Sequence, residues 1–123
     1  KAVHILFIDN DEAIRRLFGG KLASAGFEML YAEDGNEGRE IARRMQPDLI
    51  LLDIRMPDPD GYTVARRLKG ERKTAHIPIV FFTNEDFTPE AEKMLKEAWI
   101  TDYIHKSVTP SELVERIQGI IGR

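Results

Sequence analysis

Four apolar runs in this sequence end in residues that can do chemistry. HILFI leads into Asp9, followed by Asn10 and Asp11; LILL leads into Asp53, IVFF into Thr83, and DYIH into Lys106. A carboxylate at the end of a buried run is costly to desolvate unless something pairs with it. Asp53 is therefore either the first solvated residue of a loop or a member of a site. Gathered at one edge of a sheet, these residues make a coherent set. Asp9 and Asp53 supply hard oxygen ligands for a magnesium-like cation, which keeps several waters and takes one or two carboxylates plus phosphate. Lys106 holds a phosphoryl oxygen as a point charge, and the Thr83 hydroxyl can donate to another. A carboxylate in that setting is a nucleophile that can accept a phosphoryl group as an acyl phosphate.

The surrounding pattern must bring those ends together. Apolar runs alternate with amphipathic stretches. Strands are predicted at His4 to Ile8, Glu28 to Ala32, Leu49 to Asp53, Ile79 to Phe82 and about Asp102 to His105. Between them, Ile14, Leu17, Phe18, Leu22 and Ala25 recur at helical spacing, with Gly26 as a stop. Asp11 is the expected N-cap of that helix. A second helix runs from about Asn36 to Met45, opened by Asp34 with Glu37 in a capping-box pattern. A short third helix covers about Tyr62 to Lys69. The fourth opens at Thr88-Pro89 and carries Met94, Leu95 and Ala98. The fifth opens at Thr109-Pro110-Ser111-Glu112 and carries Leu113, Ile117, Ile120 and Ile121. Strict alternation implies a parallel sheet with helices on both faces. In such sheets ligands bind beyond the carboxyl ends of the strands, where the strand order reverses.

Composition narrows the function classes. The chain has 123 residues, 42% hydrophobic and 32% charged, which suits one folded domain with a real core. A net charge of −3 gives no electrostatic case for binding nucleic acid. The absence of cysteine excludes disulfides and thiolate metal sites and fits a cytoplasmic location. No apolar stretch is long enough for a membrane span, and no signal-peptide pattern is visible. The sequence does not open with Met, which leaves open that it is part of a longer protein. His4, His76 and His105 share no ligand spacing, so no histidine metal site is expected. Met29, Met45, Met56 and Met94 read as packing residues, and Asp58 and Asp60 as turn formers around Pro59 and Gly61.

With these residues in view, the sequence resembles the receiver domain of two-component response regulators over essentially its whole length, residues 1–123. The matching pieces are ILFIDND, DLILLDIRMPDPDG, PIVFFTN and DYIHK. The resemblance implies an α/β fold: a flavodoxin-like, doubly wound (βα)5 three-layer sandwich with a parallel five-stranded sheet in order 2-1-3-4-5. It implies that Asp53 is the phosphoacceptor, served by a histidine kinase or phosphotransfer protein. Asp9, Asn10, the Asp53 carboxylate and the Arg55 carbonyl would hold Mg2+. Lys106 would pair with Asp53 and then with the phosphoryl group. Thr83 and Tyr103 would move together as the switch, with the readout on the fourth helix, fifth strand and fifth helix. The chemistry expected of the chain itself is limited to self-phosphorylation and autodephosphorylation. The output domain, the pathway and a weak homodimer through the last two helices stay open.

The sequence departs from the family pattern in places. Asn10 stands where a second carboxylate is usual, which predicts weaker magnesium binding. Ser107 replaces the usual proline after the lysine. A cis bond before a non-proline costs about 2.5–4 kcal/mol, so Lys106–Ser107 is expected to be trans. Asn84 follows Thr83 where a small residue is common, and could partly cover Asp53 or orient a water. Trp99 and Ile100 either pack over the end of the fourth helix or form, with Tyr103, a partner-facing patch.

Two other readings are carried. In a degenerate receiver the domain signals without phosphate. Asn10, Asn84 and Ser107 lean that way, while Asp9, Asp53, Thr83, Tyr103 and Lys106 lean against it. In a haloacid-dehalogenase-type phosphatase, which ILFIDNDEA also resembles, Asp9 would be the nucleophile and Asp11 the general acid. That leaves the Asp53 motif unexplained.

Overall fold

The computed structural model describes residues 1–122. Five strands alternate with five helices: β1 His4–Ile8, α1 Glu12–Ser24, β2 Glu28–Ala32, α2 Gly35–Met45, β3 Leu49–Leu52, α3 Gly61–Gly70, β4 Ile79–Thr83, α4 Pro89–Lys96, β5 Asp102–His105 and α5 Pro110–Ile121. The strands form one sheet in the order β2-β1-β3-β4-β5, and every pairing is parallel. This is the expected flavodoxin-like, doubly wound architecture.

Successive side chains of a strand face opposite sides, and the sheet uses both. Leu6, Ile8, Ile50, Leu52, Ile79 and Phe81 pack with Ala42 of α2, Val64, Ala65 and Leu68 of α3, and Met94 of α4. Ile5, Phe7, Leu49, Leu51, Val80 and Phe82 pack with Phe18 and Leu22 of α1 and Leu113, Val114 and Ile117 of α5. Double-sided burial is why β3 and β4 read as unbroken apolar runs rather than as alternations.

The helix starts follow their capping residues. Asp11 accepts the backbone N–H groups of Ala13 and Ile14, and Asp60 accepts that of Thr63. Thr109 and Glu112 form the full reciprocal box at α5. At α2 the box is displaced by one residue: Asp34 accepts Glu37 N–H, but the Glu37 carboxylate accepts Glu33 N–H instead of that of Asp34.

Several boundaries differ from the sequence reading. β3 ends at Leu52, so Asp53 lies just outside it, while β4 runs through Thr83. α2 begins at Gly35, and α3 extends to Gly61 and Gly70. α4 stops at Lys96, because Ala98 takes a left-handed φ of 62°. Ala98 therefore lies beyond the helix that was expected to carry it. Among the described residues the cis bond is Asp58–Pro59, and Lys106–Ser107 is trans, as expected. Among the described residues no helix is long and apolar enough to cross a membrane.

Candidate functional site

The chain passes from β1 to β2 on one side and then to β3 on the other, so the strand order reverses between β1 and β3. The two aspartates follow these two strands. Backbone bonds carry each ladder one step beyond the strand ends. Asp9 N–H reaches the Ala32 carbonyl and Asp53 N–H the Ile8 carbonyl, each at 3.1 Å, and Lys106 N–H reaches the Thr83 carbonyl at 2.8 Å. The site residues are thus fixed by the sheet rather than carried on free loops.

Lys106 Nζ lies 2.7 Å from Asp9 Oδ2 and 3.1 Å from Asp53 Oδ2. All three side chains are buried; Asp9 is fully so. The bond to Asp53 has hydrogen-bond geometry. The closer approach to Asp9 is an ion pair off the hydrogen-bonding direction, so Asp9 Oδ2 is a buried oxygen without a directed donor. Asp9 Oδ1 accepts Asp11 N–H at 2.9 Å, and Asp53 Oδ1 accepts Arg55 N–H at 3.4 Å. Burial pushes the Asp9 carboxyl above its ordinary value. Lys106 and the Asp11 N–H oppose that shift, and the Asp53 charge adds to it.

Two carboxylates against one ammonium leave the cluster a net negative charge. Among the described residues no group of three or more His, Cys, Asp or Glu is placed to hold a metal. A magnesium ion needs less than that, because it keeps several waters and takes one or two carboxylates. Asp9 and Asp53, with the Asn10 amide oxygen and Arg55 carbonyl as neutral donors, fit such an ion. The undirected Asp9 Oδ2 is the observation that favours it. The space beside the cluster is a cavity of about 190 Å³ lined by Asp9, Asn10, Asp11, Asp53, Arg55, Asn84 and Lys106.

Thr83 is fully buried at the end of β4, and its hydroxyl accepts Glu85 N–H at 3.2 Å. Tyr103 is half-buried; its hydroxyl donates to the Glu85 carbonyl at 2.5 Å and to the Asp86 carbonyl at 3.0 Å. Burial first, then the nearby Tyr62, Glu85, Asp86 and Asp53, push the Tyr103 phenol up to about 12. The exposed Phe87 ring stands edge-on to Tyr103, with centroids 5.0 Å apart.

Of the two readings of Trp99 and Ile100, packing at the end of α4 holds, and the partner-facing patch with Tyr103 loses Ile100. Ile100 is 2% exposed and belongs to the core, and Trp99 packs half-buried against the same cluster. Asp11 lines the cavity, but its Oδ1 is engaged in capping α1 at Ala13 N–H and Ile14 N–H, which weakens the phosphatase reading. Sequence reasoning missed Glu85, whose carboxylate lies 3.4 Å from Arg55 Nε across the mouth of the site. It also missed Arg15, which donates to the Asp9 carbonyl. Arg15 had a local signal, its position on the first turns of α1; Glu85 had none.

The comparisons agree with this architecture. The family model described as response regulator receiver domain matches residues 5–118. The DNA-binding dual master transcriptional regulator RpaA of Synechocystis is 34% identical over 97% of this chain and 49% of its own length. This chain spans about half the length of the curated transcriptional regulators it matches. Among solved structures, the chemotaxis protein CheY4 of Vibrio cholerae superposes with a TM-score of 0.88 at 26% identity, covering 98% of this chain and 99% of that one. The N-terminal domain of a response regulator receiver protein from Methanoculleus marisnigri gives a TM-score of 0.81 at 32% identity, covering 100% and 99%.

Proposed function

The chain belongs to the response regulator receiver domain family, and from that premise we propose that residues 1–123 act as a phosphoacceptor switch with Asp53 as the acceptor. The observation that carries this reading is the Lys106 ammonium held between the buried Asp9 and Asp53 carboxylates at the carboxyl edge of the sheet. A bare charge cluster of that kind is costly to bury for stability alone.

In the proposed transfer, a carboxylate oxygen of Asp53 forms a bond to phosphorus while the phosphorus–nitrogen bond of a phosphohistidine breaks, the donor's imidazole being the leaving group. The donor is a histidine kinase or phosphotransfer protein. Lys106 gives up its bond to Asp53 and pairs with a phosphoryl oxygen. Asp9, Asn10, Asp53 and the Arg55 carbonyl would hold Mg2+, which supplies charge neutralisation between acceptor and phosphoryl oxygens. The sheet ladder at Asp9, Asp53 and Lys106 keeps the reacting groups oriented.

The switch follows from Thr83. To bind a phosphoryl oxygen its hydroxyl donates its own proton while its oxygen can go on accepting Glu85 N–H, so a turn of Thr83 pulls on Glu85. Tyr103 holds the carbonyl of that same Glu85, so the two residues share one backbone unit. Movement there reaches α4, β5 and α5. The proposal includes a cytoplasmic location, a position upstream of an output protein or domain, and no nucleic acid bound by this domain itself.

The test is intact-protein mass after incubation with acetyl phosphate, with and without magnesium, beside Asp53→Asn. One added phosphoryl group that needs both magnesium and Asp53 is the expected result. No addition under any condition would establish the phosphate-independent interaction module instead.

A further inference from the structure

His105, the last residue of β5, joins the connections that follow β4 and β5. Its ring lies between one backbone donor and one backbone acceptor. Ser107 N–H approaches Nδ1 at 3.1 Å, and the Asn84 carbonyl oxygen lies 3.2 Å from Nε2. A backbone amide only donates, so Nδ1 must accept; a carbonyl only accepts, so Nε2 must carry the proton. The neutral Nε2–H tautomer alone satisfies both. A proline at 107 would have no N–H, and nothing at that position would then set the tautomer. The departure from the family pattern at Ser107 therefore supplies the donor that orients His105.

The neighbouring bond extends the arrangement. Lys106 N–H holds the Thr83 carbonyl at 2.8 Å, so two consecutive carbonyls, of Thr83 and Asn84, are held from two consecutive residues, Lys106 and His105. Asn84 lines the cavity beside Asp53 and Lys106. The next residue, Glu85, is bonded through Thr83 and Tyr103, which belong to the proposed switch.

We infer that His105 and Ser107 form a tautomer-locked strap that fixes Asn84 at the wall of the phosphoryl cavity, making both of them positioning residues for phosphoryl transfer. This rests on the phosphoacceptor reading of Asp53. The strap joins the backbone of residues 83–84 to the rigid sheet, and Glu85 beyond it is held by the hydroxyls of Thr83 and Tyr103. The Thr83 hydroxyl then turns on a fixed backbone.

Two measurements test the strap. Nitrogen-15 spectra of the histidine rings in mildly alkaline buffer should show His105 protonated at Nε2, with the Ser107 amide slow to exchange. In Ser107→Pro the Nδ1–H form should rise. A wild-type ring protonated at Nδ1 would overturn the inference. In the second, labelling of Asp53 by acetyl phosphate is timed. His105→Phe keeps the ring but removes both bonds, and should be labelled about fivefold more slowly, the worth of one neutral hydrogen bond. Its magnesium affinity should be unchanged, because the cation's donors lie elsewhere. His105→Gln, which keeps a donor for the Asn84 carbonyl, should recover most of the rate. Equal rates in wild type and His105→Phe would also overturn the inference. If the wild type takes no phosphoryl group, the phosphoacceptor reading fails, and the ring spectra still decide whether the strap exists.

Discussion

Lys106→Met removes one charge from the centre of the site and keeps most of the side-chain volume. At an effective dielectric constant of about 20, the ammonium gains about 6 kcal/mol from Asp9 at 2.7 Å and about 5 kcal/mol from Asp53 at 3.1 Å, before desolvation is counted. Without it, the two buried carboxylates have an escape: one takes up a proton. For a carboxyl of ordinary value 3.8, that costs about 4.4 kcal/mol at pH 7 and about 1.6 kcal/mol at pH 5. Protonation caps the loss, so Lys106→Met should destabilise the fold by about 3–4 kcal/mol at pH 7 and about 1–2 kcal/mol at pH 5. The sign follows from linkage. Asp9 already binds its proton more tightly folded than unfolded, so stability rises as pH falls through the folded pKa toward 3.8, and the variant steepens that slope. The proton belongs to the Asp9–Asp53 pair rather than to either member. Urea unfolding of both proteins at the two pH values, with chelator present, measures it. A loss below about 1 kcal/mol at pH 7, or one equal at both pH values, would refute the argument.

Three further outcomes are expected. Asn10→Asp adds a carboxylate to the proposed cation site and should tighten magnesium binding about tenfold by calorimetric titration; equal affinities would remove Asn10 from the donor set. Gly61→Ala should cost about 1–3 kcal/mol in urea unfolding and slow Asp53 labelling, because a methyl there presses on the Asp53 carbonyl and the Ile54 Cα; wild-type stability would contradict that packing. Ultraviolet titration should find Tyr103 ionising at about 12, the step vanishing in Tyr103→Phe. Because its folded pKa is raised, its contribution is complete below 10 and is lost as pH rises from there through about 12; ionisation near 10 would exclude the buried hydroxyl bonds.

What the sequence made legible was local. Apolar runs, Asp11 before α1 and the Thr109-Pro110-Ser111-Glu112 start of α5 each act within a few residues, and each forms as read. The meeting of Asp9, Asp53 and Lys106 was legible because strand alternation fixes which ends meet. Features made by folding were not. Helix α4 ends early, before Ala98, a non-glycine with a left-handed φ, and no residue type signals that. The Glu37 carboxylate selects Glu33 over Asp34 through local backbone geometry. Glu85 and the His105 ring gain their partners from residues 30 and 21 positions away, across loops whose paths only the packed sheet defines.

Helix α4 has eight residues, from Pro89 to Lys96. A segment of that length is too short to remain helical in water by itself, and only Ala91 and Met94 are buried along it. Its opening free energy should therefore be well below that of the β1–β3 centre, giving a domain that melts in pieces: a durable sheet and a helix close to local unfolding. Amide exchange should reveal that gradient even without phosphate. A signal of a few kcal/mol then has little to overcome at α4 while leaving the remainder of the molecule undisturbed.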